Sequence, residues 1–167
     1  MKITRNTLRL TLFTILLCVG FVSQAESTKS KAHDFTLKSN SGENLRLSDF
    51  RGQVVLINFW ATWCGPCRQE MPKLDELHKR YKRAGVAVWG VNVEDDSSLP
   101  ENFLKNNPVD FPILYDVTSE VSELYNVDAM PTTVIVDRNG KIRHLHRGYK
   151  PGYEKIYRQQ IKELLKE

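Results

Sequence analysis

The sequence predicts an α/β domain in which a central mixed sheet is flanked by helices. Three observations carry that reading. Two runs, "QVVLINFWA" (Gln53 to Ala61) and "VAVWGVNV" (Val86 to Val93), are almost continuously apolar, as strands buried on both faces are. Between them Met71, Leu74, Leu77 and Tyr81 recur at helical spacing, so strand, helix and strand make a βαβ unit with parallel strands. A third run, "PTTVIVD", is joined through Arg138-Asn139-Gly140-Lys141 to "IRHLHRGY". Asn-Gly marks a tight hairpin turn, so this pair is antiparallel and the sheet is mixed.

The first 25 residues read as an export signal. Lys2, Arg5 and Arg9 form a basic start, and Leu10 to Val22 is an uncharged, mostly apolar run of 13 residues ahead of Ser23-Gln24-Ala25. Such a run is short of the roughly 20 residues that span a bilayer and suits a secretory core before a small-x-small cleavage site. Cleavage after Ala25 is expected, with an uncleaved membrane anchor as its rival; either places the domain outside the cytoplasm, in the periplasm or an equivalent space. Removing the three leader cations leaves 21 basic against 20 acidic side chains. That balance offers no electrostatic footprint for nucleic acid.

Glu26 to His33, "ESTKSKAH", is polar and aperiodic and is expected to be an exposed tether. A single domain then runs from 34 to 167, a size suited to one core and expected to act as a monomer. "DFTLKSNSGENLRL" alternates about Ser41-Gly42 and predicts an N-terminal hairpin. Gly85 closes the helix that follows the first long strand. Within Glu94 to Met130, Ser97 to Asn106 and Ser119 to Tyr125 predict short helices, with "DFPILYD" as a strand between them. Tyr153, Ile156, Tyr157, Gln160, Ile161, Leu164 and Leu165 set out an amphipathic terminal helix.

The chemistry centres on "FWATWCGPCRQEMP", Phe59 to Pro72, which holds the domain's only two cysteines, Cys64 and Cys67. Structural zinc takes four ligands, and there is no second Cys pair and no suitably spaced His pair. Covalent haem attachment wants His where Arg68 stands. A staple closing so short a loop gains little from chain entropy. A redox dithiol fits better, because a strand-to-helix position puts Cys64 at a helix N-terminus, where free N–H groups and the dipole favour a thiolate. Pro66 suits the first turn. Cys64 is then expected to be the exposed nucleophile and Cys67, one turn in, the buried resolving thiol.

On these residues the chain resembles the thioredoxins, through "FWATWCGPC" and through Pro72, five residues after Cys67. With its leader, its hairpin, the inserted helix-strand unit and "MPTT", it is similar to the TlpA/ResA-like exported thiol-disulfide oxidoreductases over roughly Asp34 to Leu165. The resemblance implies a thioredoxin fold and no cofactor. It also implies a cis Met130-Pro131 bond facing the cysteines, with Trp63, Met130 and Thr132 binding an extended client and Pro131 part of the catalytic group. The partners it implies are disulfide-containing client proteins and a membrane thiol-electron transporter of the DsbD/CcdA type; some members of the family serve cytochrome c maturation. One departure stands out. Asn58 occupies the place, six residues before the first cysteine, where thioredoxins keep a buried aspartate. Glu70, three residues after Cys67 and within reach on the same helical face, is the candidate to handle the proton of Cys67 instead.

Two acidic or imidazole groupings read as solvated. His144 and His146 share a strand face, and Glu94-Asp95-Asp96 follows a strand end; neither pattern requires a metal. The leading function is a reductase of client disulfides. A dithiol oxidase of the DsbA type remains the enzymatic alternative, although 37 residues from Glu94 to Met130 leave no room for its helical insertion. A copper-delivery protein is the non-enzymatic one, disfavoured by the two-residue gap between the cysteines. A peroxiredoxin would need a lone peroxidatic Cys.

Overall fold

The computed structural model describes residues 30–167; the expected export signal and residues 26–29 lie outside them. The end of the expected tether differs from its prediction. The Ala32 N–H donates to the Gly140 carbonyl at 2.9 Å and the Ile142 N–H to the Ser30 carbonyl at 2.8 Å, and Ala32 is buried. One small apolar residue in a polar stretch lets the backbone lie against the hairpin turn, so the packed domain begins earlier than residue 34.

Two short strands, β1 (Thr36–Lys38) and β2 (Asn44–Arg46), form the N-terminal hairpin. The central sheet has five strands: β3 (Val54–Trp60), β4 (Val86–Asn92), β5 (Ile113–Tyr115), β6 (Thr132–Val136) and β7 (Ile142–Arg147), in the order β5-β4-β3-β6-β7. β3 pairs parallel with β4, and β4 with β5. β6 pairs antiparallel with β3 and with β7. Every residue of β3 and β4 is buried, which is what their almost continuously apolar sequence requires, since both faces of the sheet are covered.

The helices are α1 (Gly65–Tyr81), α2 (Ser98–Asn106), α3 (Glu120–Leu124) and α4 (Tyr153–Leu164). α1 and α4 bring Met71, Leu74, Leu77, Tyr157, Ile161 and Leu164 onto Leu56, Trp60 and Val88 of one sheet face. The opposite face, built from Ile57, Phe59 and Trp89, is closed by Phe35, Leu47, Val121 and Tyr125. This three-layer arrangement is the thioredoxin-like architecture that the sequence predicts. Ile156, placed on the inward stripe of the terminal helix by its spacing, is instead 44% exposed; Tyr157 takes the inward position beside it. Gly90 lies where β4 meets β5, and a Cβ there would stand 2.8 Å from Ile113 Cδ1 and 2.9 Å from Phe111 Cε2.

Candidate active site

β3 delivers the chain to the site and α1 carries it away. A turn closed by the Cys64 N–H on the Ala61 carbonyl, 3.2 Å, brings Cys64 to the N-cap of α1 with Pro66 in the first turn. Cys64 and Cys67 are joined in a disulfide, their Cα atoms 5.3 Å apart. The Cys67 N–H donates to Cys64 Sγ at 3.2 Å. Once the bond opens, that amide and the helix terminus favour a thiolate on Cys64. Pro72 sits inside α1, where its ring opposes the Arg68 carbonyl and removes one helical hydrogen bond.

The expected difference in exposure is narrow. Cys64 is 5% exposed and Cys67 0%, so Cys64 is a nearly buried sulfur at the floor of a groove rather than an open one. The reason is the wall around it: Trp63, Gly65 and Pro66 on one side and Val127, Asp128, Ala129 and Met130 on the other enclose a groove of about 430 Å3. Trp63 is 67% exposed and forms its rim.

The Met130–Pro131 peptide bond is cis. Pro131 is buried, and its carbonyl accepts from the Gly148 N–H at 2.7 Å. Thr132, expected beside the client, is fully buried and donates its hydroxyl to the Ala129 carbonyl at 2.7 Å. It braces the loop that carries Met130 instead of facing the groove, because β6 begins at this residue and turns its side chain inward.

Glu70 is fully buried. Its Oε2 accepts from Asn58 Nδ2 at 2.8 Å; its Oε1 accepts from the Tyr157 hydroxyl at 2.8 Å and, more distantly, from Thr133 Oγ1 at 3.4 Å. Asn58 Nδ2 also donates to Thr133 Oγ1 at 2.9 Å. Burial pushes the Glu70 carboxyl up from 4.5 to about 7, against the opposing effect of its hydrogen bonds from Tyr157, Asn58 and Thr133. A carboxyl that changes charge near neutrality, one helical turn from a thiol that must lose a proton, is equipped for acid-base work.

Two groupings read as solvated lie elsewhere. Glu94 is buried: its Oε2 accepts from the Thr62 N–H at 2.8 Å and from Asn92 Nδ2 at 2.9 Å, and its Oε1 from Thr62 Oγ1 at 2.6 Å. It thus clamps the turn that precedes Cys64. The polar run Glu94-Asp95-Asp96 concealed this because only its first carboxylate turns inward. His144 and His146 are half-buried beneath α4, where His146 Nε2 lies 2.9 Å from Gln160 Oε1. Among the described residues no group of three or more His, Cys, Asp and Glu side chains could hold a metal ion. The residues that sequence reasoning missed are Tyr157, Thr133, Thr62 and Glu94. Only Tyr157 left a usable signal, since a tyrosine in an apolar stripe must find a partner for its hydroxyl.

A mixed sheet that presents a Cys-Gly-Pro-Cys disulfide at a helix N-terminus, opposite a proline-bearing loop, defines a thioredoxin-fold thiol-disulfide oxidoreductase. The profile of the AhpC/TSA family matches residues 28–145. The thiol-disulfide oxidoreductase ResA of Geobacillus kaustophilus is 41% identical over 124 residues, which cover 74% of this chain and 71% of that protein. The thioredoxin-like protein YneN of Bacillus subtilis is 45% identical over 120 residues, 71% of this chain and 70% of that one. Among solved structures, one from Chlorobium tepidum, assigned as a thiol:disulfide interchange protein DsbE, superposes with a TM-score of 0.79 at 38% identity, covering 82% of this chain and 96% of that one. The exposed lipoprotein thioredoxin of Streptococcus pneumoniae strain TIGR4 superposes with a TM-score of 0.71 at 30% identity, covering 79% and 100%. The chain belongs to the AhpC/TSA family and is a thiol-disulfide oxidoreductase of the ResA/DsbE type.

Proposed function

We propose that this chain is an exported reductase of protein disulfides, working as a monomer through Cys64 and Cys67. The observation that carries the reading is the placement of the Cys64 sulfur at the floor of a groove walled by Trp63 and Met130. An extended client lies along the Met130 backbone, which Pro131 and Thr132 hold in place. The reduced Cys64 thiolate attacks one sulfur of a client disulfide; a Cys64–client bond forms, and the first client sulfur leaves and takes up a proton. Cys67 passes its proton to Glu70 and attacks Cys64 Sγ. The Cys64–Cys67 bond forms, the mixed disulfide breaks, and the second client thiolate leaves and is protonated. The client gains the two electrons that the cysteine pair loses.

Electrons return from a membrane thiol transporter of the DsbD/CcdA type, because the reaction consumes a dithiol at each turnover. Apocytochrome cysteines awaiting haem are one client class of the right chemistry. Export is supported by the leader pattern and by the pneumococcal relative's description as exposed; cell-envelope material whose mass begins at Glu26 is the expected product. The direction of electron flow is tested by equilibrating the protein with glutathione buffers. A potential at or below about −180 mV supports the reductase, and a value near the roughly −120 mV of a strong oxidant makes it an oxidase.

A further inference from the structure

The inward face of α4 is made by Ile161 and Leu164, with one exception, Tyr157, which is fully buried. A phenol so placed needs a partner, and the partner is a carboxylate 87 positions earlier in the chain: Tyr157 OH donates to Glu70 Oε1 at 2.8 Å. The opposite oxygen is held by Asn58 of β3. We propose that Tyr157 is a positioning residue for the exchange reaction, its hydroxyl holding the Glu70 carboxylate in the ionised form that receives the proton of Cys67. The inference rests on the reading of Glu70 as proton acceptor.

Several contacts keep the hydroxyl in place. The Tyr157 ring packs 5.0 Å from the His146 ring and 6.3 Å from Tyr153, and His146 is itself tied to Gln160 on the next turn of α4. The terminal helix therefore brings the donor to Glu70 on a fixed arm. A donor directed at a carboxylate stabilises its charge, and Tyr157 shares that role with Asn58 at 2.8 Å and, more distantly, Thr133 at 3.4 Å. The titratable groups around the Glu70 carboxylate are the Cys67 thiol on α1, Tyr157 on α4 and Tyr149 before α4, with His146 of β7 behind Tyr157. Burial first, and the Glu70 charge next, push the Tyr157 phenol up; burial, then Glu154 and to a smaller degree Glu70, push Tyr149 up to about 12. Both phenols thus stay protonated, and Tyr157 can donate, throughout the neutral range. Without that donation Glu70 would hold its proton to higher pH and could not accept another.

The test is single-turnover release of a Cys64-linked peptide from pH 5 to 9, comparing the wild type with Tyr157→Phe, which keeps the ring and removes the hydroxyl. The midpoint of the rise in rate is expected to move up by about one pH unit, the size of one hydrogen bond to a charged group. Near neutrality the variant is then about fivefold slower, approaching about tenfold below pH 6, and its rate at high pH is retained. A 13C titration of the Glu70 carboxyl should report the same upward displacement without reference to rate. His146→Gln, which alters the ring packed on Tyr157 and leaves the hydroxyl, should keep the wild-type midpoint. An unmoved midpoint and an unmoved carboxyl titration in Tyr157→Phe, with Glu70→Gln still slow, would leave Tyr157 as packing only and overturn the inference alone. Wild-type release by Glu70→Gln would overturn the underlying reading and the inference with it.

Discussion

Asn58 Nδ2 donates to Glu70 Oε2 at 2.8 Å, so the amide in the place of an expected acid is the hydrogen-bond partner of the acid proposed to take over its role. An aspartate at 58 beside Glu70 would bring two carboxylates together in a dry site, where both cannot ionise cheaply. Amide and carboxylate therefore read as a matched pair. A carboxyl that titrates at about 7 sets the pH dependence of a Glu70→Gln variant: below that value the wild type is itself protonated there, and the deficit grows from pH 7 upward. Release of a Cys64-linked peptide by Glu70→Gln is expected to slow about a hundredfold near pH 8, at the lower end of what a positioned acid-base group contributes. Asn58→Asp added to it should restore part of the rate. Equal rates for wild type and Glu70→Gln across the range would send the proton to water.

The same carboxyl predicts a pH dependence of stability in the oxidised protein. Its folded-state value, about 7, lies above the ordinary 4.5, so between those values the folded chain binds a proton that the unfolded chain has lost. Stability is then full below about 4.5, falls as pH rises, and has lost this contribution above about 7, a change of about 3 kcal/mol. Urea unfolding of Glu70→Gln against wild type at pH 4.5, 6 and 8 should show the difference opening in the variant's favour with rising pH. A difference that stays constant would mean that Glu70 binds its proton alike in the folded and unfolded chain.

The two thiols should behave differently although both are nearly buried. Cys64 has the Cys67 N–H on its sulfur and the groove beside it, whereas Cys67 is fully buried and does not line that groove. In the reduced protein Cys64 is expected to alkylate at least about tenfold faster at pH 7, since the thiolate is the reacting form. Cys67→Ser should accumulate mixed disulfides with clients and Cys64→Ser should not, as mass spectrometry of trapped species will show. Equal alkylation, with trapping by neither variant, would remove the assigned roles.

The fold was largely legible because its determinants are periodic. The almost continuous apolar runs of β3 and β4, the spacing of Met71, Leu74, Leu77 and Tyr81, and the turn at Asn139-Gly140 each speak through local pattern. The cysteine pair was legible for a related reason: its spacing excludes zinc and haem, and its place between strand and helix gives it a helix N-terminus. What surrounds the pair was less so. Tyr157 looked like one more apolar residue of a terminal helix, and Thr132 like a group at the client site, because neither the direction of a side chain nor a partner 87 positions away is written in local pattern. Glu94 was obscured by its neighbours, since Asp95 and Asp96 are exposed and share its charge.

Glu94 supplies the last prediction, because it joins the end of β4 to the turn before Cys64. Its carboxylate accepts the Thr62 N–H, the Thr62 hydroxyl and the Asn92 amide, all in a buried setting. Glu94→Ala removes the acceptor and leaves these donors facing a cavity, which costs the desolvation of each orphaned group, about 1–3 kcal/mol apiece where water cannot reach. A total loss of about 3 kcal/mol is expected in urea unfolding. Glu94→Gln keeps the volume and one carbonyl oxygen but must turn an NH2 toward one of the donors, so a loss of about 2 kcal/mol is expected from the charge-assisted bonds it gives up. Because the turn carries Cys64, slower alkylation of Cys64 in reduced Glu94→Gln should accompany the loss of stability. Asp137→Asn, which weakens a buried carboxylate that accepts the Asn139 and Lys141 N–H groups in the β6–β7 turn at a cost of about 1–3 kcal/mol, is the matched control and should leave the alkylation rate unchanged. If both variants lose stability alike and neither alters Cys64, then Glu94 holds the fold together without shaping the site.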